Sequence, residues 1–264
     1  MSSPTVKLET GAPRRNDQFV EAFAKGLQVI HGFPTARGSA TLTEVAQSTG
    51  MARATVRRML LTLVELEYVT QHEDHFQLAP KLLGLGFTYL NSIPFYRVAQ
   101  DVLEALSNEI NELCSLSVLD GAETVYVVHV QGRDLLSRGM GVGTRLPAYA
   151  TSVGRVLLAG LSQEDCEQRL RSSVFKKLTA KTLVGAAEVR AAIDQAKLDD
   201  YSLAVEELSL GVIGMSVPVR DRRGNVVAAA GLSLNPGRFN RKTALLQLLP
   251  KLKDAASRIT DRLA

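Results

Sequence analysis

The stretch TLTEVAQSTGMARATVRRML, residues 41–60, constrains the chain more than any other. Thr41 and Glu44 stand three apart, the capping-box spacing in which each side chain satisfies a backbone N–H of the other residue and fixes where a helix begins. Gly50 then ends that helix, because glycine takes the left-handed conformation past a helix without a Cβ penalty. A second helix follows after a few residues. In it Val56, Leu60 and Leu63 fall on one apolar stripe, Arg53 and Arg57 lie one turn apart on another, and Arg58 and Thr62 stand beside them. Residues 51–60 contain no acid. Two short helices joined by a tight turn, the second basic near its N-terminus, fit the helix-turn-helix plan. A basic amphipathic helix alone is more often a solvated face, so the elements around it must decide.

Those elements favour a nucleic-acid reader. Residues 1–16 mix Ser, Pro, Thr, Gly and charge without periodicity and read as a disordered arm. Phe23, Leu27 and Ile30 recur at helical spacing, and the Gly- and Pro-rich HGFPTARGSA closes a first helix. After the basic helix, YVTQHEDHFQLAP gives two short extended runs around the polar turn from His72 to His75, which places a wing there. APKLLGLGFTYLNS has Leu82, Leu85 and Tyr89 at helical spacing, although Gly84 and Gly86 lower its intrinsic helicity. The expected organisation is a winged helix-turn-helix over residues 17–79, a linker helix over 80–93 and a second domain over 94–264.

The second domain alternates helix and strand signals, so the fold class is α+β. Val98, Val102, Leu106, Ile110 and Leu113 mark a long helix. SLSVLDGAETVYVVHV reads as two strands turning at Asp120 and Gly121, and GMSVPVRDRRGNVVAAAGLSL as two more turning at Gly224 and Asn225. Helices are expected from Thr151 to Leu161, after Ser162, from Ala186 to Leu198, and after Asn240, where Pro250 must kink or divide the last one.

Catalytic signals are missing. GMSVP and GLSLN begin like the nucleophile elbow GxSxG but lack its final glycine, and His129 is the domain's one histidine. Flanked by apolar residues, it reads as a satisfied structural histidine. GMGVG, residues 139–143, neither carries the Lys-Ser/Thr of a phosphate loop nor spells GxGxxG. The HxxH of the wing has no third metal ligand nearby. Cys114 and Cys166 stand far apart without CxxC spacing, which suggests reduced core residues rather than a disulfide or zinc site. No enzyme, cofactor or metal is expected. A net charge of +4 over 264 residues permits a polyanionic partner without demanding one. No apolar run approaches the length of a membrane span or a secretory signal, so a cytoplasmic protein is expected.

TLTEVAQSTGMARATVRRMLLTLVELEYV, the wing and LAPKLLGLGFTYL resemble the DNA-binding domain and linker helix of the IclR-type bacterial transcriptional regulators. RLPAYATSVGRVLLAG and GVIGMSVPVRDRRGNVVAAAGLSL resemble that family's effector-binding domain, which implies a GAF-like sheet. FVEAFAKGLQVIHGF and RATVRR are similar to the branch that controls aromatic acid breakdown through protocatechuate and the beta-ketoadipate pathway. The resemblance places DNA contacts at Arg53, Thr55, Arg57 and Arg58, with Thr41 and the wing residues His72 and His75 as further candidates. Ala54 stands where many members have serine. It also implies an effector pocket between the sheet and the helix of YATSVGRVLLAG, built from Thr151, Ser152 and Val153 and faced by Glu206, Val212, Gly214, Ser216, Ser233 and Asn235. Gly214 stands where several members have cysteine. Arg145 or Arg155 would balance a bound carboxylate.

Each side chain has a plainer alternative: Ser152 as a helix cap, Arg155 as a solvated cation, Ser233 as a cross-strand partner. The partners implied are an inverted-repeat DNA operator, an aromatic or dicarboxylic acid effector, and further copies of the chain in a homodimer or a dimer of dimers. A metabolic enzyme acting on a small acid, its basic helix incidental, is the alternative reading.

Overall fold

Thr41 caps a helix as its spacing to Glu44 requires. Its hydroxyl accepts from the Glu44 amide at 3.3 Å while its own amide donates to Glu44 Oε2 at 2.8 Å. The computed structural model describes residues 18–34, 38–132 and 140–262. The arm expected over residues 1–16 and Gly139 of the GMGVG stretch lie outside them. The chain divides into two units, Met1–Tyr89 and Leu90–Ala264.

The first unit contains α1 (Glu21–His31), β1 (Ser39–Thr41), α2 (Leu42–Thr49), α3 (Arg53–Glu65) and the hairpin β2 (Val69–His72) and β3 (His75–Leu78). Gly50 follows α2 at φ 68°, the left-handed conformation expected of it. Val56, Leu60 and Leu63 of α3 are buried with Val29 of α1, Val45 of α2 and Phe76 of β3 in one cluster. Each such side chain contributes roughly 1.5–3 kcal/mol by leaving water. The hairpin turns at Glu73 and Asp74, with His72 opposite His75, and β1 adds to its β3 edge in the order β1-β3-β2. Three-residue β1 carried no sequence signal. Phe23 and Leu27 of α1 do not join the core: they are 69% and 43% exposed, whereas Val29 is fully buried.

A short 3-10 turn at Pro80–Leu82 leads into α4 (Leu83–Ser92), where the linker helix is expected. Leu85, Phe87 and Tyr89 on it are each more than half exposed.

The second unit is built on a six-stranded antiparallel sheet in the order β6-β5-β4-β9-β8-β7. Its strands are β4 (Leu113–Asp120), β5 (Glu123–Val130), β6 (Arg145–Pro147), β7 (Ser202–Val205), β8 (Ile213–Arg220) and β9 (Val226–Leu234). Leu113, read as the end of a helix, starts β4 instead, because Asn111 adopts φ 51° and breaks the helical path. One sheet face buries Cys114, Leu116, Met215 and Leu232 with α5 (Tyr96–Ile110) and α10 (Leu249–Thr260) in the main core. Against the other face lies α6 (Ser152–Ala159), flanked by α7 (Gln163–Arg171) and α8 (Ala186–Asp199).

The α6 face of the sheet is made of small residues, and two glycines set how closely α6 approaches. A Cβ on Gly231 of β9 would stand 2.6 Å from Val153 Cγ1, and one on Gly154 would stand 2.1 Å from the Ala148 carbonyl oxygen. Pro250 has the effect its missing N–H demands. The last helix is interrupted by a π-helical turn at Ala244–Leu248 between α9 (Arg241–Thr243) and α10. Among the described residues, no helix is long and apolar enough to cross a membrane.

Candidate nucleic-acid interface and ligand pocket

The N-terminal end of α3 is open. Its N-cap is Ala52, which has no side chain to close the first turn, and Arg53, Ala54, Arg57 and Arg58 are exposed. Thr55 is half-buried, and none of the three arginines makes an ion pair among the described residues. The helix therefore presents three cationic forks and free first-turn amides to solvent, groups that pair with phosphate oxygens and guanine edges. Thr41 is differently placed: its hydroxyl accepts from the Glu44 amide and donates to Glu44 Oε2 at 3.0 Å. That occupies it as a cap. His72 and His75 are exposed on the wing, where His75 Nδ1 lies 2.7 Å from Asp74 Oδ1.

The second unit carries a cavity between the sheet and α6, in two connected chambers that share Tyr126, Leu146, Leu208, Val212 and Ser233. The inner chamber, about 40 Å³, is lined by Thr151, Ser152 and Val153 together with Ser115, Gly214 and Gly231. The outer one, about 410 Å³, reaches Glu112, His129, Gln131, Met140 and Asn235.

Thr151, not Ser152, caps α6: its side chain accepts from the Gly154 amide at 3.1 Å. The Ser152 hydroxyl, in a residue only 3% exposed, has no hydrogen-bond partner among the described residues. Neither do the amides of Ser152 and Val153, which begin the helix. The inner chamber is thus roofed by two free N–H groups and a free hydroxyl at the positive end of a helix dipole. Such a roof suits an anion. Gly214 makes room for it, since a Cβ there would stand 2.9 Å from Ser152 Oγ.

Four residues expected at this site stand elsewhere. Arg155 is buried in a bidentate pair with Glu207, at 2.8 and 2.5 Å, and also donates to the Tyr149 carbonyl at 3.2 Å, so its charge is already balanced by Glu207 and it lines neither chamber. Arg145 is exposed and bound to Asp120 Oδ2 and Glu123 Oε2, both at 2.7 Å. Glu206 pairs with Lys181 and accepts the Gly211 amide at 2.8 Å, which holds its carboxylate below its usual pKa and outside both chambers. Ser216 is buried beneath α6 without lining either chamber.

The outer chamber holds groups that residue patterns did not single out. Glu112 is fully buried, and its Oε1 accepts from Arg238 Nη1 at 2.7 Å. Burial pushes its pKa up, and Arg238 and then the Asn235 backbone amide pull it back in part. Tyr126 sits on β5 beside Ser233, its phenol made harder to ionise by burial. His129 is not the satisfied structural histidine expected from sequence: its Nε2 is buried with no partner among the described residues, and burial lowers its pKa, which favours the neutral ring. Tyr126 and His129 stand three residues apart, and the register slip that leaves Val127 extra between them brings both to the cavity side of β5, a displacement no sequence period announces.

Residues 22–73 match the IclR helix-turn-helix domain, and residues 87–261 match the domain described as bacterial transcriptional regulator IclR C-terminal. The chain is 34% identical to the Pca regulon regulatory protein of Pseudomonas putida, over 98% of this chain and 88% of that one. The crystal structure of a transcriptional regulator from Rhodococcus sp. RHA1 is 40% identical, covers 93% of this chain and 98% of its own, and superposes with a TM-score of 0.83. The inducer-binding domain of a double mutant of the PobR transcription factor from Acinetobacter, solved with 3-hydroxybenzoic acid, is 33% identical. It covers 62% of this chain and 96% of its own, with a TM-score of 0.58.

Proposed function

We propose that this chain, which belongs to the IclR family of bacterial transcriptional regulators, is a cytoplasmic repressor or activator whose operator binding responds to a hydroxylated aromatic acid held under α6. The observation that carries the effector reading is the inner chamber's roof. Two free amides and the free Ser152 hydroxyl converge on a buried space whose other walls are apolar or small. A carboxylate fits there without a cationic side chain, because helix-terminal N–H groups stabilise an anion in a low-dielectric site. The adjoining chamber, about 410 Å³ and largely apolar, takes a ring. The relative solved with 3-hydroxybenzoic acid supports the same chemical class.

On DNA, Arg53 and Arg57 face the major groove from the first turns of α3, Thr55 meets the backbone, and Arg58 pairs with phosphate. The exposed apolar side chains of α1 and α4, Phe23, Leu27, Leu85 and Phe87 among them, mark the contact with a second copy of the chain. A homodimer, or a pair of such dimers, then matches the two-fold symmetry of an inverted repeat. The chain catalyses nothing on its effector; binding biases the arrangements that hold the operator. Calorimetric titration of the full chain with 4-hydroxybenzoate and 3,4-dihydroxybenzoate tests the effector reading, which a null titration of folded protein would overturn.

A further inference from the structure

The two chambers lie along neighbouring rungs of one pair of strands. Ser115 and Gly231 are register partners in the floor of the inner chamber, while Leu113 and Ser233, two residues along, are partners in the floor of the outer one. At about 3.4 Å per residue the rungs are ~7 Å apart, which is the scale of one benzene ring with a substituent at each end. A ligand whose carboxylate sits under Ser152 therefore places its far substituent in the outer chamber.

Two buried acceptors belong to residues that line that chamber. Glu112 Oε2 is buried and has no hydrogen-bond partner among the described residues, although Oε1 of the same carboxyl is held by Arg238. His129 Nε2 is likewise buried and unpartnered among the described residues. The His129 ring stacks at a tilt on Tyr126, 5.3 Å between centroids, which orients it. In the neutral ring with its proton on Nδ1, Nε2 is an acceptor. An unpaired buried acceptor penalises the protein until a donor reaches it. The Asn235 backbone amide lies near enough to the Glu112 carboxyl to lower its pKa, yet Oε2 itself has no hydrogen-bond partner among the described residues.

We propose that Glu112 and His129 form a donor-requiring subsite, which makes the pocket select aromatic acids with ring hydroxyl groups opposite the carboxylate and reject those without. The inference rests on the reading that this cavity holds the effector. Arg238 fixes the Glu112 carboxyl in place through Oε1, and also donates to the Asn111 carbonyl at 2.8 Å, so the free oxygen cannot swing away to satisfy itself. A hydroxyl on the ring donates to Glu112 Oε2, and a second hydroxyl reaches His129 Nε2. Benzoate offers neither, and leaves both acceptors buried and unpaired; a site built to bond a hydroxyl discriminates strongly against the analogue that lacks it.

The test is calorimetry on the full chain with 3,4-dihydroxybenzoate, 4-hydroxybenzoate and benzoate, repeated on Glu112→Leu and His129→Phe. The phenylalanine keeps the ring stack on Tyr126, and the half-exposed Arg238 can be hydrated once Glu112 is gone. The expected result is that wild type binds the hydroxylated acids at least about tenfold more tightly than benzoate. Each variant should weaken the hydroxylated acids toward the benzoate value while leaving benzoate within about twofold, since benzoate makes no bond to either side chain. Equal wild-type affinity for all three acids, or an equal loss of all three in both variants, would overturn the subsite and leave the effector pocket standing. Failure of folded wild type to bind any of the acids would instead overturn the effector reading, and the subsite with it.

Discussion

Gly214 and Ser152 share one space: a Cβ on the glycine would stand 2.9 Å from the serine hydroxyl that roofs the inner chamber. A Gly214→Cys substitution must turn that hydroxyl out of the chamber and put sulfur in its place. Effector affinity is expected to fall by about tenfold or more, with stability changed by about 1 kcal/mol or less because the clash is with the end of a short flexible side chain. Calorimetry and thermal unfolding on the same preparation check both halves.

Arg57→Ala is expected to weaken operator binding without destabilising the fold. Arg57 is exposed and unpaired among the described residues, so its removal leaves no buried group there unsatisfied. If it contacts phosphate, the slope of log affinity against log salt falls by about one; if it reads a base, discrimination at one position falls by ~1–3 kcal/mol. A large drop in melting temperature with unchanged DNA affinity would remove it from the interface.

Arg155→Met is expected to destabilise the second unit by ~3–5 kcal/mol, because it strands the buried Glu207 carboxylate without its partner. The double variant Arg155→Met, Glu207→Leu should recover most of that loss. Urea unfolding of the single and double variants separates this structural role from direct binding of the effector's charge, which would cost affinity and little stability.

Cys114 supplies a pH signature of correct packing. Burial, reinforced by the neighbouring Glu112 carboxylate, pushes its thiol from 9.0 up to about 12. The folded chain holds this proton more tightly than the unfolded one. The resulting stabilisation is complete below pH 9.0 and is lost as pH rises toward about 12. Over that window wild type should lose up to ~1.4 kcal/mol per pH unit more than Cys114→Ala. Parallel pH dependences would show that the thiol is not buried.

The first unit was legible because its signals are local. Thr41 with Glu44, Gly50, and the stripe Val56, Leu60, Leu63 each fix one feature from within a few residues, and all appear as the spacing requires. Periodicity says less about what covers a face: Phe23 and Leu27 mark α1 correctly as a helix yet stay exposed. The pocket was half legible. Thr151, Ser152, Val153, Gly214 and Ser233 come together in the inner chamber, and Val212 and Asn235 line the outer one.

The cationic half was not legible, since nothing near Arg155 in sequence announces Glu207, a residue 52 positions away. Glu112 and His129 were invisible for the same reason. Their significance lies in lacking partners, and a missing hydrogen bond has no sequence signature. Strands β6 and β7, of three and four residues, are too short to show a period.

The most direct measurement is fluorescence anisotropy of the full chain on an inverted-repeat operator selected from random DNA, titrated with and without 4-hydroxybenzoate. A regulator working as described shifts its operator midpoint by at least about fivefold when the acid is present. The Ser152→Leu variant, which fills the inner chamber, should hold the operator with the acid-free midpoint at every acid concentration. An operator midpoint indifferent to the acid in wild type, or an unaltered response in Ser152→Leu, would contradict it.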